Sequence, residues 1–191
     1  MRIVGGAFRG KALRAPQSDD IRPTGDRARE ALFNVLSHGS FSLDWDGLVV
    51  ADLFCGTGAL GLEALSRGAV TCTFVDVSAA SLKLARQNAA ACGAVKRFAS
   101  LKLDASRLPP PARVTRAPID LAFLDAPYNK GLSIPALKGL LVRKWLKPGA
   151  FVVVEVAKDE PLDPPKGYDL LDERDYGAAR VLFLRADSGI E

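Results

Sequence analysis

Three glycines with the spacing G-x-G-x-x-G stand between two apolar segments of the chain. They are Gly56, Gly58 and Gly61, within CGTGALG and directly after LVVADLF. A loop of this kind needs glycine because the chain turns sharply and a ligand lies against bare backbone, where a Cβ would collide. The spacing predicts a nucleotide-type binding loop between a strand and a helix. It serves NAD in dehydrogenases and S-adenosylmethionine in methyltransferases, and alone it does not choose between them.

Acidic residues end the predicted strands, at the edge where open α/β sheets bind ligands. Asp76 lies 20 residues after Gly56, where a carboxylate accepts both ribose hydroxyls of either cofactor. Asp52, just before the loop, suits the ammonium group or a water at the amino-acid end of S-adenosylmethionine and would repel a pyrophosphate. Asp104 closes the third strand and suits an adenine amino group. Asp52 and Asp104 each have the alternative of a helix cap or a solvated acid. The predicted cofactor-binding residues are Asp52, Phe54, Gly56, Thr57, Gly58, Asp76, Val77, Asp104 and Ala105.

The fourth predicted strand, IDLAFLD, ends in the sequence D-A-P-Y, which is Asp125, Ala126, Pro127 and Tyr128. The Asp125 carboxylate and the Ala126 carbonyl oxygen can accept the two N–H bonds of an exocyclic amine, and Tyr128 can stack on its base. Methyl transfer places positive charge on the amine nitrogen, so both hydrogen bonds strengthen in the transition state. We predict these four residues as the catalytic motif. An ordinary strand-end turn is the alternative, because Asp and Pro are common there.

Longer blocks of sequence carry a family resemblance. The D-A-P-Y segment resembles the D/N-P-P-Y/F motif of class I S-adenosylmethionine-dependent methyltransferases that act on exocyclic amines. RPTGDRAREALFNVL (22–36) together with DLFCGTGALGLEALSRGA (52–69) is similar to the bacterial 16S rRNA guanine-N2 methyltransferase family, and the similarity spans essentially the whole chain. It implies S-adenosylmethionine as cofactor, no metal, and transfer to the N2 amine of a guanine in 16S rRNA, within the small subunit or an assembly intermediate. Ala126 departs from the family motif by replacing its first proline, which keeps the backbone acceptor and loses rigidity.

Strands and helices alternate along most of the chain. Helices are predicted at residues 25–38, 59–68, 78–92 and 134–145. Strands are predicted at residues 47–54, 70–77, 98–103, 119–125, 150–156, 168–171 and 179–185. This alternation predicts an α/β fold with a seven-stranded, mostly parallel sheet and a closing antiparallel hairpin, which is a Rossmann-like, class I methyltransferase architecture.

Basic charge is concentrated towards the N-terminus. Residues 1–116 hold 16 Lys and Arg against 10 Asp and Glu, whereas residues 117–191 hold 10 against 12. The first 14 residues hold four cations and no acid, which favours a polyanionic partner, although a solvated basic face is the alternative. We predict one methyltransferase domain over residues 1–191, with residues 1–20 as an RNA-binding arm or hairpin that has little core of its own. Deletion of residues 1–14 is expected to leave S-adenosylmethionine binding unaltered. The predicted RNA contacts are Arg2, Arg9, Lys11, Arg14, Arg22, Arg27 and Arg29.

Composition argues against several other classes. One histidine, His38, cannot build a His-based metal site, and a catalytic triad would have to recruit it. Three cysteines form neither an even disulfide framework nor a CxxC pair, and Cys55 has no basic partner that would make it a nucleophile. No apolar run approaches the ~20 residues of a membrane span, and the N-terminus lacks the apolar core of an export signal. We expect a cytoplasmic monomer.

Three other functions remain open at this stage. An adenine-N6 methyltransferase acting on DNA or RNA would use the same acceptor motif, but the chain has no room for a separate DNA-reading domain. An NAD-dependent oxidoreductase would explain the glycine loop and Asp76 and would leave D-A-P-Y without a role. A non-catalytic RNA-binding assembly factor has support only from the departure at Ala126.

Overall fold

The computed structural model describes residues 1–15, 25–38 and 41–187. Its helices are α1 (Asp26–Ser37), α2 (Ala59–Arg67), α3 (Ala79–Ala91) and α4 (Ser133–Val142). Its strands are β1 (Val49–Leu53), β2 (Thr71–Asp76), β3 (Phe98–Lys102), β4 (Ile119–Asp125), β5 (Leu146–Ala157), β6 (Tyr168–Tyr176) and β7 (Ala179–Ala186). No helix within these residues is long and apolar enough to cross a membrane.

The strands form one seven-stranded sheet in the order β3-β2-β1-β4-β5-β7-β6. The first five strands pair in parallel, and β7 inserts antiparallel between β5 and β6. This confirms the predicted fold class, including the closing hairpin. Because the order reverses between β1 and β4, the loops after these two strands meet at the carboxyl edge of the sheet, where a crevice forms.

Some element boundaries differ from the sequence prediction. Helix α4 ends at Val142 rather than near Trp145, because Lys144 adopts a left-handed backbone with φ 58°. The Trp145 indole N–H then donates to the Pro109 carbonyl oxygen over 2.8 Å, which anchors the chain at the start of β5. Strand β6 continues through the charged segment 172–175, because an edge strand exposes its side chains to solvent.

Two apolar clusters fill the two faces of the sheet. One packs side chains of α1, α2 and α3 against sheet residues that include Phe74 and Phe123. The other packs α4 and the 3-10 turn Ala105–Arg107 against the opposite face, with Leu137 and the fully buried Trp145 among its members. The helices therefore cover both faces and leave the loops at the carboxyl edge to form a site.

The N-terminal segment folds as a hairpin that docks onto α2 and α3. The Ile3 amide donates to the Lys11 carbonyl oxygen over 3.0 Å, which pairs its two arms. Contrary to the prediction of an arm with little core, Ile3 and Leu13 are buried in the main apolar cluster. Residues 16–20 of the predicted appendage lie outside the described residues.

Polar contacts fix this hairpin in place. The Val4 amide donates to Glu63 Oε2 over 2.9 Å, and the Phe8 amide donates to Ser66 Oγ over 2.8 Å, so α2 holds one arm. The Arg14 amide donates to Asn88 Oδ1 over 2.8 Å, so α3 holds the other. The hairpin is consequently part of the packed structure around the glycine loop.

Candidate cofactor and base-binding site

The glycine loop turns from β1 into α2 through left-handed backbone conformations. Phe54 has φ 63° and Gly56 has φ 51°. These left-handed conformations turn the chain sharply, so that the backbone of the loop lies at the carboxyl edge of the sheet. A Cβ built on Gly56 would meet no atom within 4 Å, so the space above this residue is open. Gly56 is therefore the glycine of the motif that leaves room for a ligand against the backbone.

The other two glycines of the motif serve the packing of the loop and helix. A Cβ on Gly61 would lie 2.5 Å from Cys72 Sγ and 2.6 Å from Phe74 Cε1, so α2 could not sit this close to the sheet with any larger residue. Gly58 has φ 77°, and a Cβ there would press on Ala85 at 3.1 Å. Gly58 is buried and is not itself a wall of the cavity described below.

Asp52 is buried beneath the loop. Its Oδ2 accepts a hydrogen bond from the Gly61 amide over 2.9 Å, at the start of α2. Burial, with a smaller contribution from the nearby Asp76 charge, raises the pKa of Asp52 from 3.8 to about 8, while the Gly61 hydrogen bond acts in the opposite direction. A carboxyl group in this environment gains most from a cationic partner, because a positive charge offsets the cost of ionising it.

Asp76, at the end of β2, organises the loop through both of its carboxylate oxygens. Oδ2 accepts from the Gly56 amide over 3.0 Å, and Oδ1 accepts from the Ser78 amide over 2.8 Å. The adjacent Val77 side chain is 60% exposed. Asp76 and Val77 thus present a carboxylate and a bare apolar surface on the same exposed edge.

Asp104 has the structural role that the sequence left as its alternative. Its Oδ1 accepts from the Ser106 amide over 2.9 Å and from the Ser106 hydroxyl over 2.6 Å, and it caps the 3-10 turn that follows. These hydrogen bonds lower the pKa of the exposed Asp104 carboxyl. Ala105 is buried in the α4 cluster. Contact of either residue with an adenine stays a prediction.

A cavity of about 70 Å³ joins the glycine loop to the end of β4. It brings together five residues predicted for cofactor binding or catalysis, and they are Asp52, Phe54, Gly56, Thr57 and Asp125. Its other walls are Met1, Arg29, Cys55, Ala59 and Leu60. Burial raises the pKa of the Cys55 thiol well above its usual value, which agrees with the absence of a predicted chemical role for it.

The D-A-P-Y segment leaves β4 beside β5. Asp125 is paired in register with Glu155 of β5, and neighbouring residues of parallel strands direct their side chains to the same face. The Tyr128 hydroxyl donates to Glu155 Oε1 over 2.5 Å. Ala126 is buried and Pro127 is exposed. Glu155 was missed from the sequence, and the available signal was a lone acid near the end of the apolar run AFVVVEV.

Met1 is a second residue that sequence reasoning missed. The Thr57 hydroxyl lies 3.6 Å from Met1 Sδ, and Met1 lines the cavity. Asn88 of α3 donates to the Thr57 carbonyl oxygen over 2.9 Å and to the Arg14 carbonyl oxygen over 3.1 Å, so one amide ties the hairpin to the loop. The hairpin therefore lies against the glycine loop, which argues against the expectation that its deletion leaves cofactor binding unaltered.

Arg29 corrects the predicted RNA-binding set. Its side chain is 1% exposed, so the prediction that it is available to phosphate is wrong. The guanidinium donates to Asp26 Oδ1 over 2.8 Å, lies 4.0 Å from the buried Glu63 carboxylate, and also donates to the Arg2 carbonyl oxygen. Arg29 follows the helical spacing of the buried face of α1, which consists of Arg29, Leu32, Phe33 and Leu36.

The other predicted RNA contacts within the described residues are on the surface. Arg2 is 3.4 Å from Asp26, and Lys11 Nζ donates to the Ala91 carbonyl oxygen over 3.0 Å. Arg9, Arg14 and Arg27 are exposed. Arg22 lies outside the described residues. RNA contact by these residues stays a prediction.

A larger groove of about 1140 Å³ lies between α1 and the β6–β7 hairpin. His38, Phe41 and Tyr176 are among its lining residues. None of the residues predicted for cofactor, catalysis or RNA lines it, so we assign the site to the smaller cavity. The described residues contain no cluster of three or more His, Cys, Asp or Glu that could hold a metal ion.

A sheet in this strand order, with a glycine loop after β1 and an acceptor motif after β4, defines the Rossmann-like fold of class I methyltransferases. The chain matches the family described as "Conserved hypothetical protein 95" over residues 1–185. It is 35% identical to ribosomal RNA small subunit methyltransferase D of Haemophilus influenzae, over 93% of this chain and 89% of the relative. It is 35% identical to the Escherichia coli K12 protein of the same name, over 99% of this chain and 92% of that one. The solved structure of yhhF from Escherichia coli has a TM-score of 0.81 at 28% identity, with 98% of each chain covered. The chain belongs to this family of ribosomal RNA small subunit methyltransferases.

Proposed function

We propose that the protein transfers a methyl group from S-adenosylmethionine to the exocyclic N2 amine of a guanine in 16S rRNA of the small ribosomal subunit. The observation that carries the proposal is the shared cavity, in which Asp125 of the acceptor motif lies with Asp52 and Gly56 of the cofactor loop. A methyl donor and an amine acceptor must meet at one point. This cavity contains residues proposed to bind the donor, Asp52 and Gly56, and a residue proposed to bind the acceptor, Asp125. The relatives' names supply the ribosomal substrate.

The residues present fit S-adenosylmethionine. Gly56 leaves open space where a Cβ would stand, which suits a ligand lying on the backbone. The buried Asp52 carboxyl suits a ligand that carries an ammonium group, because a cation beside it favours the ionised form. A pyrophosphate placed beside an ionised Asp52 would be repelled, and Arg29, the cation in the cavity wall, is already paired with Asp26, which argues against NAD.

The remainder of the cofactor would follow the exposed edge beyond the cavity. A volume of about 70 Å³ holds only the reacting end of such a molecule. Asp76 keeps lone pairs for ribose hydroxyls while its two oxygens hold the loop, and the exposed Val77 offers an apolar surface for the adenine. Asp104 would contact the adenine amino group from the end of β3.

The cofactor, when bound, supplies a methyl group on a positively charged sulfur. The task of this chain is to orient the amine and to stabilise the charge that develops on it. The Asp125 carboxylate and the Ala126 carbonyl oxygen would each accept one N–H bond, which directs the nitrogen lone pair at the methyl group. Both acceptors gain strength as the nitrogen becomes positive, so their contribution is largest in the transition state.

Tyr128 would hold the base in the plane that this geometry requires. Its ring can stack on the purine, for roughly 1 to 3 kcal/mol by comparison with single-strand binders. Glu155 fixes the position of the ring through the Tyr128 hydroxyl. A guanine must leave its own stack to reach such a pocket, so the target would lie in a loop or an unstacked strand.

The proposal is tested by methyl transfer from radiolabelled S-adenosylmethionine to three substrates, which are small subunits lacking the modification, naked 16S rRNA, and duplex DNA. We expect transfer to RNA and none to DNA. Asp125→Ala should lose on the order of 100-fold or more in rate while binding the cofactor with nearly unchanged affinity. Asp163→Ala, which removes an exposed carboxylate in the β5–β6 loop, is the matched control. Labelled DNA, or full activity of Asp125→Ala, would overturn the proposal.

A further inference from the structure

A second basic surface lies on the face of the sheet covered by α4, opposite the N-terminal hairpin. We define this α4 basic surface by six exposed cations, which are Arg107, Arg113, Arg116, Lys138, Arg143 and Lys144. We propose that it binds the phosphate backbone of the RNA substrate and serves as an anchor separate from the hairpin. The inference rests on the proposed function, because it takes RNA as the substrate.

The charge of the chain is concentrated in the segment that forms this surface. Residues 102–147 hold nine Lys and Arg against three Asp, whereas the remaining residues hold 17 Lys and Arg against 19 Asp and Glu. The positive net charge of the protein therefore resides here. These cations fall on both sides of residue 116, so the charge difference between the two halves of the chain does not reveal them.

Packing brings the elements of this segment together on one side of the sheet. The 3-10 turn Ala105–Arg107, α4 and Trp145 share one apolar cluster. The Ile119 amide donates to the Trp145 carbonyl oxygen over 2.8 Å, which holds the start of β4 against the start of β5. Arg116 precedes β4 and Lys144 precedes β5, so these two cations lie at the amino ends of neighbouring strands.

Most cations of this surface have no acidic partner within the described residues, although Arg107 lies near enough to Asp104 to help lower the pKa of that carboxyl. Within the described part of the chain, none of the six forms a salt bridge, and none uses its side chain in a hydrogen bond. The nearby Asp120 is taken by Lys147 Nζ at 2.6 Å, and Asp104 is held by Ser106. Like charges gathered without acids repel one another in the free protein, and this repulsion is relieved by a polyanion.

RNA is favoured over an anionic membrane by the arrangement of the two basic regions. The hairpin packs on α2 and α3, on one face of the sheet, whereas the α4 basic surface lies on the other face. A planar membrane contacts one face at a time. A folded RNA can reach both faces while a nucleotide enters the cavity between them at the carboxyl edge.

The test compares Arg116→Ala/Lys144→Ala with the control pair Lys96→Ala/Lys166→Ala, which removes the same charge from exposed positions outside the α4 basic surface. Dissociation constants for unmodified small subunits are measured across a potassium chloride series. We expect the surface variant to bind roughly tenfold more weakly near 0.1 M salt, with a slope of log K against log salt reduced by about 1.8. Affinity for S-adenosylmethionine and melting temperature should match those of the parent protein.

Each outcome has one interpretation. If the parent protein methylates subunits and the surface variant binds them with the parental affinity and salt slope, the α4 anchor is wrong and the proposed function stands. If both double variants weaken binding equally, general charge explains the effect and the anchor is again wrong. If the surface variant loses binding only to vesicles of anionic phospholipid, the partner is a membrane. A parent protein that neither binds nor methylates RNA refutes the proposed function itself.

Discussion

The Tyr128 hydroxyl and the Glu155 carboxylate are joined by a hydrogen bond of 2.5 Å between the loop after β4 and the end of β5. Glu155 is 6% exposed, and Asp125 lies beside it in register on the neighbouring strand. This hydrogen bond thus connects Tyr128, which is proposed to hold the base, to strand β5, which lies beside the proposed amine acceptor Asp125. It makes Glu155 a positioning residue, which acts through Tyr128.

Glu155→Ala and Tyr128→Phe should each lower kcat/KM by roughly tenfold, because a hydrogen bond to a charged group contributes about 1.5 to 3 kcal/mol when it is fully expressed. The effects of the two changes should not add in the double variant, since both remove the same contact. S-adenosylmethionine affinity, measured by calorimetry, should not change. Tyr168→Phe removes a hydroxyl that bonds the Leu137 carbonyl oxygen away from the site and is the control. Additive losses would show that Glu155 does not act through Tyr128.

Asp76→Ala should weaken S-adenosylmethionine binding by about 1.5 to 3 kcal/mol, the range for hydrogen bonds to a charged group. The loss has two sources, because Asp76 is proposed to hold the ribose and also accepts the Gly56 amide. Titration calorimetry measures it, and Asp169→Ala on β6 provides an exposed carboxylate as control. An unchanged dissociation constant would remove Asp76 from the cofactor site.

Asp52 should make the free protein less stable as pH rises. The folded state raises its pKa from 3.8 to about 8, so between these values the folded protein holds a proton that the unfolded chain releases. The contribution of Asp52 to the free energy of unfolding is therefore greatest below pH 4. It decreases between pH 4 and pH 8 by at most about 1.4 kcal/mol per pH unit. Asp52→Asn lacks this titration and should gain stability relative to the parent as pH increases.

Urea denaturation of the two proteins at pH 5, 6, 7 and 8 measures the difference. Asp163→Asn, at an exposed position, controls for the loss of one charge. Stability curves for Asp52→Asn and the parent that stay parallel over this range would mean that Asp52 is already ionised in the folded protein.

Deletion of residues 1–14 should lower both thermal stability and cofactor affinity, in addition to any effect on RNA. The deletion removes Met1 from the cavity wall and exposes Glu63, which is fully buried and accepts the Val4 amide. Arg9→Ala/Arg14→Ala removes two exposed cations and leaves the hairpin backbone intact, so it should weaken subunit binding alone. A truncated protein with parental melting temperature and cofactor affinity would contradict the observed docking.

Local patterns allowed most of the fold to be predicted, because each βα unit is encoded over a short stretch. Segment IDLAFLD became β4 with the predicted bounds, and Ser78 caps α3 at the predicted start. Which charged residues become buried could not be predicted in the same way. Arg29 and Glu63 stand in different helices, and each looks like a surface residue until packing brings them within 4.0 Å.

The candidate site was predicted where its residues follow strands and was missed where it depends on contacts distant in sequence. Asp52, Gly56 and Asp125 share a cavity, as expected from strand ends that meet at one edge. Glu155 joins the site only through the register of β4 with β5, and Met1 only through the docking of the hairpin. Neither relationship has a periodicity or motif that sequence analysis can read.

Nucleoside analysis of the methylated product tests the central claim most directly. Unmodified small subunits are incubated with the protein and S-adenosylmethionine carrying a deuterated methyl group, and the digested RNA is resolved by mass spectrometry. The account predicts that the deuterated label appears in N2-methylguanosine, and that Asp125→Ala yields on the order of 100-fold less of it. Label in N6-methyladenosine, or in no nucleoside while the cofactor binds, would contradict the account.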